Sequence, residues 1–233
     1  MRRKLLFLML LSGVVWGKQT TYLSFEEPPG WNCDLAQGVY ICQATKEPER
    51  SESLILVFGA PSSEWDTFEN YENYLKKPKT ILDDAGKPAS SKVVYVRKRN
   101  INGFDWIDSL QENSELSGFW TRYVATVQKP LAILVTYVVS NQKYQDLTPS
   151  FERMVASLKP VSDFKFSDPN SDLVSPGTEL GGVLKSQIEK RLKKPNLPTP
   201  EQPTSNGKTS LLLVLLLVFI GGLLAMRLKR KKT

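Results

Sequence analysis

Two apolar stretches close the ends of this chain, and between them the pattern changes period several times. Positions 211–226 read LLLVLLLVFIGGLLAM without a charge, and Thr209 and Ser210 extend the uncharged window. As a helix that window spans about 27 Å, the thickness of a thin hydrocarbon core, and predicts a transmembrane segment. Inside the chain, 54–59 (LILVFG) and 131–139 (LAILVTYVV) are unbroken apolar runs, the mark of strands covered on both faces. The second predicts the central strand. Period-two alternation marks 92–99, and Asn102-Gly103 then predicts a tight hairpin turn returning as 104–110. A second hairpin joins 119–128 to 131–140 around Lys129-Pro130. A shorter strand is predicted at 21–25, and a first hairpin pairs 31–33 with 39–44 around Gln37-Gly38.

Helical spacing appears three times. Trp65, Phe68, Tyr71 and Leu75 predict a helix capped by Ser63, with 83–91 as loop after it. Phe151, Met154, Val155 and Leu158 predict a closing helix capped by Thr148 with Pro149 in its first turn. Val183, Leu184, Ile188 and Leu192 line one side of a short amphipathic helix over 182–194. The basic side of that helix suits either anionic headgroups or a solvated stalk. The fold class this defines is α+β: a mostly antiparallel sheet of seven to eight strands with two packing helices, plus one C-terminal transmembrane helix.

The charge distribution adds a topology. Arg2, Arg3 and Lys4 precede a short apolar stretch, which predicts a signal peptide over 1–17 cleaved before Lys18, with a retained N-terminal anchor as the alternative. Arg227, Lys229, Arg230, Lys231 and Lys232 follow the membrane window. These eight basic residues outnumber the whole net charge of +7, so the stretch between the two ends is close to neutral. The basicity is therefore a positive-inside signal rather than a nucleic-acid footprint, and nucleic acid is not expected as a partner. The expected organisation is an extracytoplasmic domain at 18–160, a stalk at 161–208, the membrane helix at 209–226 and a cytoplasmic tail at 227–233. The bilayer itself is then one partner. No Asn-x-Ser/Thr sequon occurs, which favours a bacterial inner membrane with a periplasmic domain.

Phe25, Pro29-Gly30-Trp31, then Tyr144, Phe151, Met154 and Ser157-Leu158-Lys159 stand in an order that resembles the PsbP-like α/β/α sandwich family, over about 21–160. The resemblance implies a non-catalytic binding or assembly role with a protein partner it does not name. Leu197-Pro198-Thr199-Pro200-Glu201 departs from the sorting motif of wall-anchored proteins at its last two positions, so covalent wall attachment is not expected.

The chain has no histidine, which excludes His-dependent triads and His-containing zinc sites. Two cysteines cannot build a four-thiolate centre, and no Gly-rich phosphate loop or other cofactor motif is present. Carboxylates remain: Asp105, Asp108, Glu112 and Glu115 leave an envelope hydrolase open as an alternative, although Asp105 and Asp108 on one strand point to opposite faces. Trp106, Trp120 and Arg122 are the candidate binding surface if their strand faces meet solvent, and core if a helix covers them. A saccharide or small-ligand accessory domain is the third reading. Cys33 and Cys42 face each other if the first hairpin turns at Gln37-Gly38, which predicts a structural disulfide. The reading reached is a membrane-anchored extracytoplasmic interaction or assembly domain, non-catalytic, binding a protein or envelope component.

Overall fold

A computed structural model describes residues 17–83, 85–162, 164 and 180–192. In chain order the elements are β1 (Gly17–Gln19), β2 (Leu23–Glu26), β3 (Trp31–Ala36), β4 (Val39–Ala44), α1 (Glu49–Glu52), β5 (Ser53–Pro61) and α2 (Phe68–Leu75). There follow β6 (Thr80–Leu82), β7 (Pro88–Ser90), β8 (Lys92–Ile101), β9 (Phe104–Glu112), β10 (Phe119–Gln128) and β11 (Leu131–Ser140). The last are α3 (Tyr144–Ser157), β12 (Lys159–Pro160) and α4 (Leu180–Arg191).

Seven strands form one antiparallel sheet in the order β3-β4-β5-β11-β10-β9-β8. The run 131–139 is its middle strand, as uniform apolarity requires of a strand buried on both faces. Alternation along β5 separates the two sides. Ile55 and Val57 face a core shared with Phe151, Met154 and Val155 of α3 and with Tyr22, Leu23 and Phe25. Leu54, Leu56 and Phe58 face the opposite side, under α4. Each of the three buried α3 side chains contributes about 1.5–3 kcal/mol by leaving water. A separate three-stranded sheet, β1-β2-β12, sits on the α3 side, where the ring of buried Tyr22 lies so near Gly59 that a Cβ there would meet it at 2.6–2.7 Å.

Both predicted tight turns form. Gln37-Gly38 and Asn102-Gly103 take positive φ at both central positions, the geometry that matches strand twist. With the first turn set, Cys33 pairs opposite Cys42, and the two are joined by a disulfide with Cα atoms 3.9 Å apart.

Several boundaries differ from the sequence reading. Helix α2 begins at Phe68 with Thr67 as its cap, accepting from Asn70 N; Ser63 instead donates its N–H and hydroxyl to Asp66 Oδ2, tying off a turn before the helix. The expected loop at 83–91 contains strand β7, paired with β6 around Asp83, whose Oδ1 accepts from the N–H groups of Ala85 and Lys87. Helix α3 starts at Tyr144, so Thr148 and Pro149 lie inside it. Tyr144 and Leu147 pack on the core, and that burial holds the first turn helical ahead of the proline. Helix α4 is also placed differently from either expectation: its apolar side, Leu184, Ile188 and Leu192, is buried on the sheet rather than turned to solvent or lipid, while Lys185 and Lys190 stay exposed.

No helix among the described residues is long and apolar enough to cross a membrane. The 209–226 window, the spacer before it and the basic tail lie outside the described residues, as do residues 1–16 of the signal segment.

Candidate interaction surface

Strands β8, β9 and β10 carry polar side chains on the face that α3 only partly covers. Register sets their rows: Arg97 stands opposite Asp108, Tyr95 opposite Leu110, and Leu110 opposite Arg122. Asp108 is completely buried and Arg122 nearly so, at 3% exposure. Arg122 grips Asp108 with two parallel bonds, Nε to Oδ1 at 2.7 Å and Nη2 to Oδ2 at 2.8 Å. Its remaining Nη1 donates to Glu152 of α3. Arg99 donates to the same carboxylate at 3.0 Å and lies 3.7 Å from Asp108. Arg97 adds two bonds to Asp108 Oδ2, from Nη2 at 3.1 Å and from Nε at 3.3 Å, and the Tyr95 hydroxyl donates to Oδ1 at 3.3 Å.

Three guanidinium groups thus meet two carboxylates. Burial pushes the Asp108 carboxyl up, but the hydrogen bonds and charge of Arg122, with those of Arg97, outweigh it and hold the group below the usual carboxylate range. Glu152 is held low in the same way, against its own burial, by Arg122 and Arg99. The Tyr95 hydroxyl is pushed up to about 12, by burial first. A general acid working near neutral pH needs its carboxyl raised, and both of these are lowered.

The aromatic side chains sit around this cluster. Trp106 is fully buried in the α3-side core, and its indole N–H has no partner among the described residues. Trp120 is half-buried at the rim with its ring 5.0 Å from that of Tyr144. Trp106, Trp120 and Arg122 therefore do not make one exposed patch: Trp106 is core, Arg122 is the centre of the ion cluster, and only Trp120 reaches the surface. The outward positions beside it belong to Tyr95 and Arg97 of β8 and to Tyr144 of α3. Arg97, more than half exposed, lies with its guanidinium 4.5 Å from the centre of the Tyr95 ring. Tyr95 and Arg97 share a face in the 92–99 alternation, so that pair was readable; Glu152 and Tyr144 join only because α3 folds back onto the sheet.

The other acidic candidates have separate surroundings. Asp105 is exposed and accepts from Asn100 Nδ2 at 3.0 Å, and Glu112 lies 4.0 Å from Lys92. Glu115 pairs with Lys79 and accepts from the Tyr123 hydroxyl, on the α2 side of the sheet. A groove of about 290 Å³ runs past Asp34, Gln43, Arg50 and Arg191 beside β3 and β4.

No family model matches the chain, and no curated protein matches it. Solved structures similar to it include the cyanobacterial PsbP of Synechocystis sp. PCC 6803, at 9% identity and a TM-score of 0.44, covering 64% of this chain and 95% of that one. A Pseudomonas aeruginosa protein of unknown function follows at 15% identity and a TM-score of 0.41, covering 59% and 91%. The Saccharomyces cerevisiae Ran-binding protein Mog1p is similar at 9% identity and a TM-score of 0.40, covering 60% and 90%. The PsbP-like resemblance seen in the sequence is thus met again as a weak resemblance of fold.

Proposed function

We propose that this chain is a non-catalytic interaction domain, held outside the cytoplasm by a C-terminal membrane helix and binding a protein or envelope component. The observation that carries the reading is the surface made by Tyr95, Arg97, Trp120 and Tyr144 over the Asp108–Arg122–Glu152 cluster. Tyr, Trp and Arg on a rigid, well-supported base are the residue types that dominate binding energy at protein interfaces. The base is rigid because each buried charge beneath it has an opposite charge in contact. The Cys33–Cys42 bond supports the location, since disulfides persist in oxidising compartments. The basic residues after the 209–226 window support the orientation.

Two measurements test it. A reporter fused after Thr233 is expected to be active only inside the cell, and one inserted near Ser162 only outside; the reverse pattern rejects the anchored orientation. A photoreactive residue at Gln145, exposed beside Tyr144, is expected to crosslink a partner that the same group at Lys77, on the far side, does not. Asp105→Asn and Glu112→Gln should leave that crosslink unchanged. Its loss in either variant, with folding intact, would favour a carboxylate-dependent hydrolase.

A further inference from the structure

The proposed surface has a chemistry that narrows its partner. Asp108 accepts a complete two-point contact from Arg122 and a further bond from Tyr95, so it keeps a matched opposite charge when Arg97 turns away. Arg99 is engaged with Glu152 at 3.0 Å. Arg97 is therefore the surplus cation of the cluster, and its side chain is 55% exposed. It can turn outward to a ligand carboxylate without stranding a buried charge, which is the step that usually makes breaking such a contact costly. Its guanidinium lies 4.5 Å from the centre of the Tyr95 ring, and the rings of Trp120 and Tyr144 stand 5.0 Å apart at the rim.

The edge of β8 offers no easier mode of binding. It ends the sheet, but a bulge between Val93 and Tyr95 breaks its register, and Lys92, Arg97 and Lys98 punctuate it, both devices that discourage strand addition. Recognition then falls to the side chains on the sheet face. Acidic groups do border the surface, namely Glu112, Glu152 and Asp146, but Glu112 faces Lys92, Asp146 faces Lys143 and Glu152 is held by two arginines.

We infer that this surface docks an acidic segment of a protein partner, with a partner carboxylate taken by Arg97 and apolar side chains seated on Tyr95, Trp120 and Tyr144. Arginine suits this role because its planar fork takes a carboxylate at two points. The inference rests on the interaction reading above and gives that partner its chemistry.

The test uses the full chain in neutral detergent and two fluorescein-labelled peptides of Glu, Leu and Ser that differ only in Gln replacing Glu. Binding is read by fluorescence anisotropy. The expected result is at least about tenfold tighter binding of the Glu peptide, weakening as salt rises. Arg97→Gln should erase that preference while the protein still melts in one cooperative transition, whereas Lys98→Gln, exposed at the next position, should keep the preference. If the two peptides bind alike and Trp120→Ala weakens both, the acidic partner is overturned and the interaction surface stands. If the Glu peptide does not bind, or binds equally to wild type, Arg97→Gln and Trp120→Ala, the assignment of this surface is overturned altogether.

Discussion

Arg122 and Asp108 meet through two parallel hydrogen bonds of 2.7 and 2.8 Å inside the domain, on neighbouring strands and two register rows apart. Such a pair draws its strength from geometry: both carboxylate oxygens and two guanidinium nitrogens are matched, and Glu152 takes a third nitrogen. The guanidinium also lies 5.3 Å from the centre of the Phe151 ring, which joins the ion cluster to the apolar core under α3.

Breaking this pair from one side should cost far more than replacing it whole. Arg122→Met leaves the buried Asp108 with only the half-exposed Arg97 and the more distant Arg99, and should lose about 3–5 kcal/mol. Adding Asp108→Leu should recover a good part of that loss, because no buried charge is then left alone. Denaturant titration of wild type, both single variants and the double variant measures the coupling. Strict additivity of the two losses would show that the contact carries no energy of its own.

Acid should weaken the domain through the same carboxylates. Asp108 and Glu152 have folded pKa values below their unfolded ones, so their stabilisation is complete above the unfolded carboxylate values of about 4 and is lost as pH falls through the folded values. The melting temperature is expected to be flat with respect to these groups near neutrality and to fall below about pH 4. In Asp108→Asn the curve should start lower and fall less steeply on acidification. An acid limb identical to that of wild type would mean that Asp108 contributes nothing to it.

The limits of what could be read from the chain follow from the same residues. Apolar runs and turn dipeptides act locally, so 131–139 declared itself a central strand and Gln37-Gly38 set the register that opposes Cys33 to Cys42. Pattern failed where burial overrode local propensity. Thr148-Pro149 reads as a helix start, yet the packing of Tyr144 and Leu147 carries α3 past it. Asp108 reads as one of several carboxylates, because nothing near it in sequence announces that Arg122 and a distant helix will enclose it. Trp106 and Trp120 look alike in the sequence, and only the path of α3 makes one core and the other rim.

The disulfide gives a simpler measurement. Cys33 and Cys42 close a short loop with a sequence separation of 9, for which the chain-entropy relation gives about 2–3 kcal/mol. Replacing both by Ala should lower stability by about that amount. The hairpin should persist, since its turn geometry and the pairing of β4 with β5 are independent of the bond. Alkylation of the unreduced, denatured protein should find no reactive thiol; two labelled cysteines would refute the pairing.

Helix α4 supplies the sharpest distinction between a linker and a part of the domain. Ile188 is 1% exposed and lies in the cluster that includes Leu54, Leu56 and Val138, while Lys185, one turn away, is exposed. Ile188→Ala removes atoms packed on the sheet and should cost about 2–5 kcal/mol, whereas Lys185→Ala should stay within about 0.5 kcal/mol. In a solvated stalk helix both substitutions would fall in the smaller range, and Ala would even favour the helix. Urea unfolding of the full chain in neutral detergent, followed by tryptophan fluorescence, separates the two cases, because the tryptophans report on the sheet domain and none lies in α4. A midpoint unchanged by Ile188→Ala would place α4 outside the cooperative unit. A midpoint lowered by Ile188→Ala and not by Lys185→Ala would mean that the sheet depends on α4 for cover on that face, as it depends on α3 on the other.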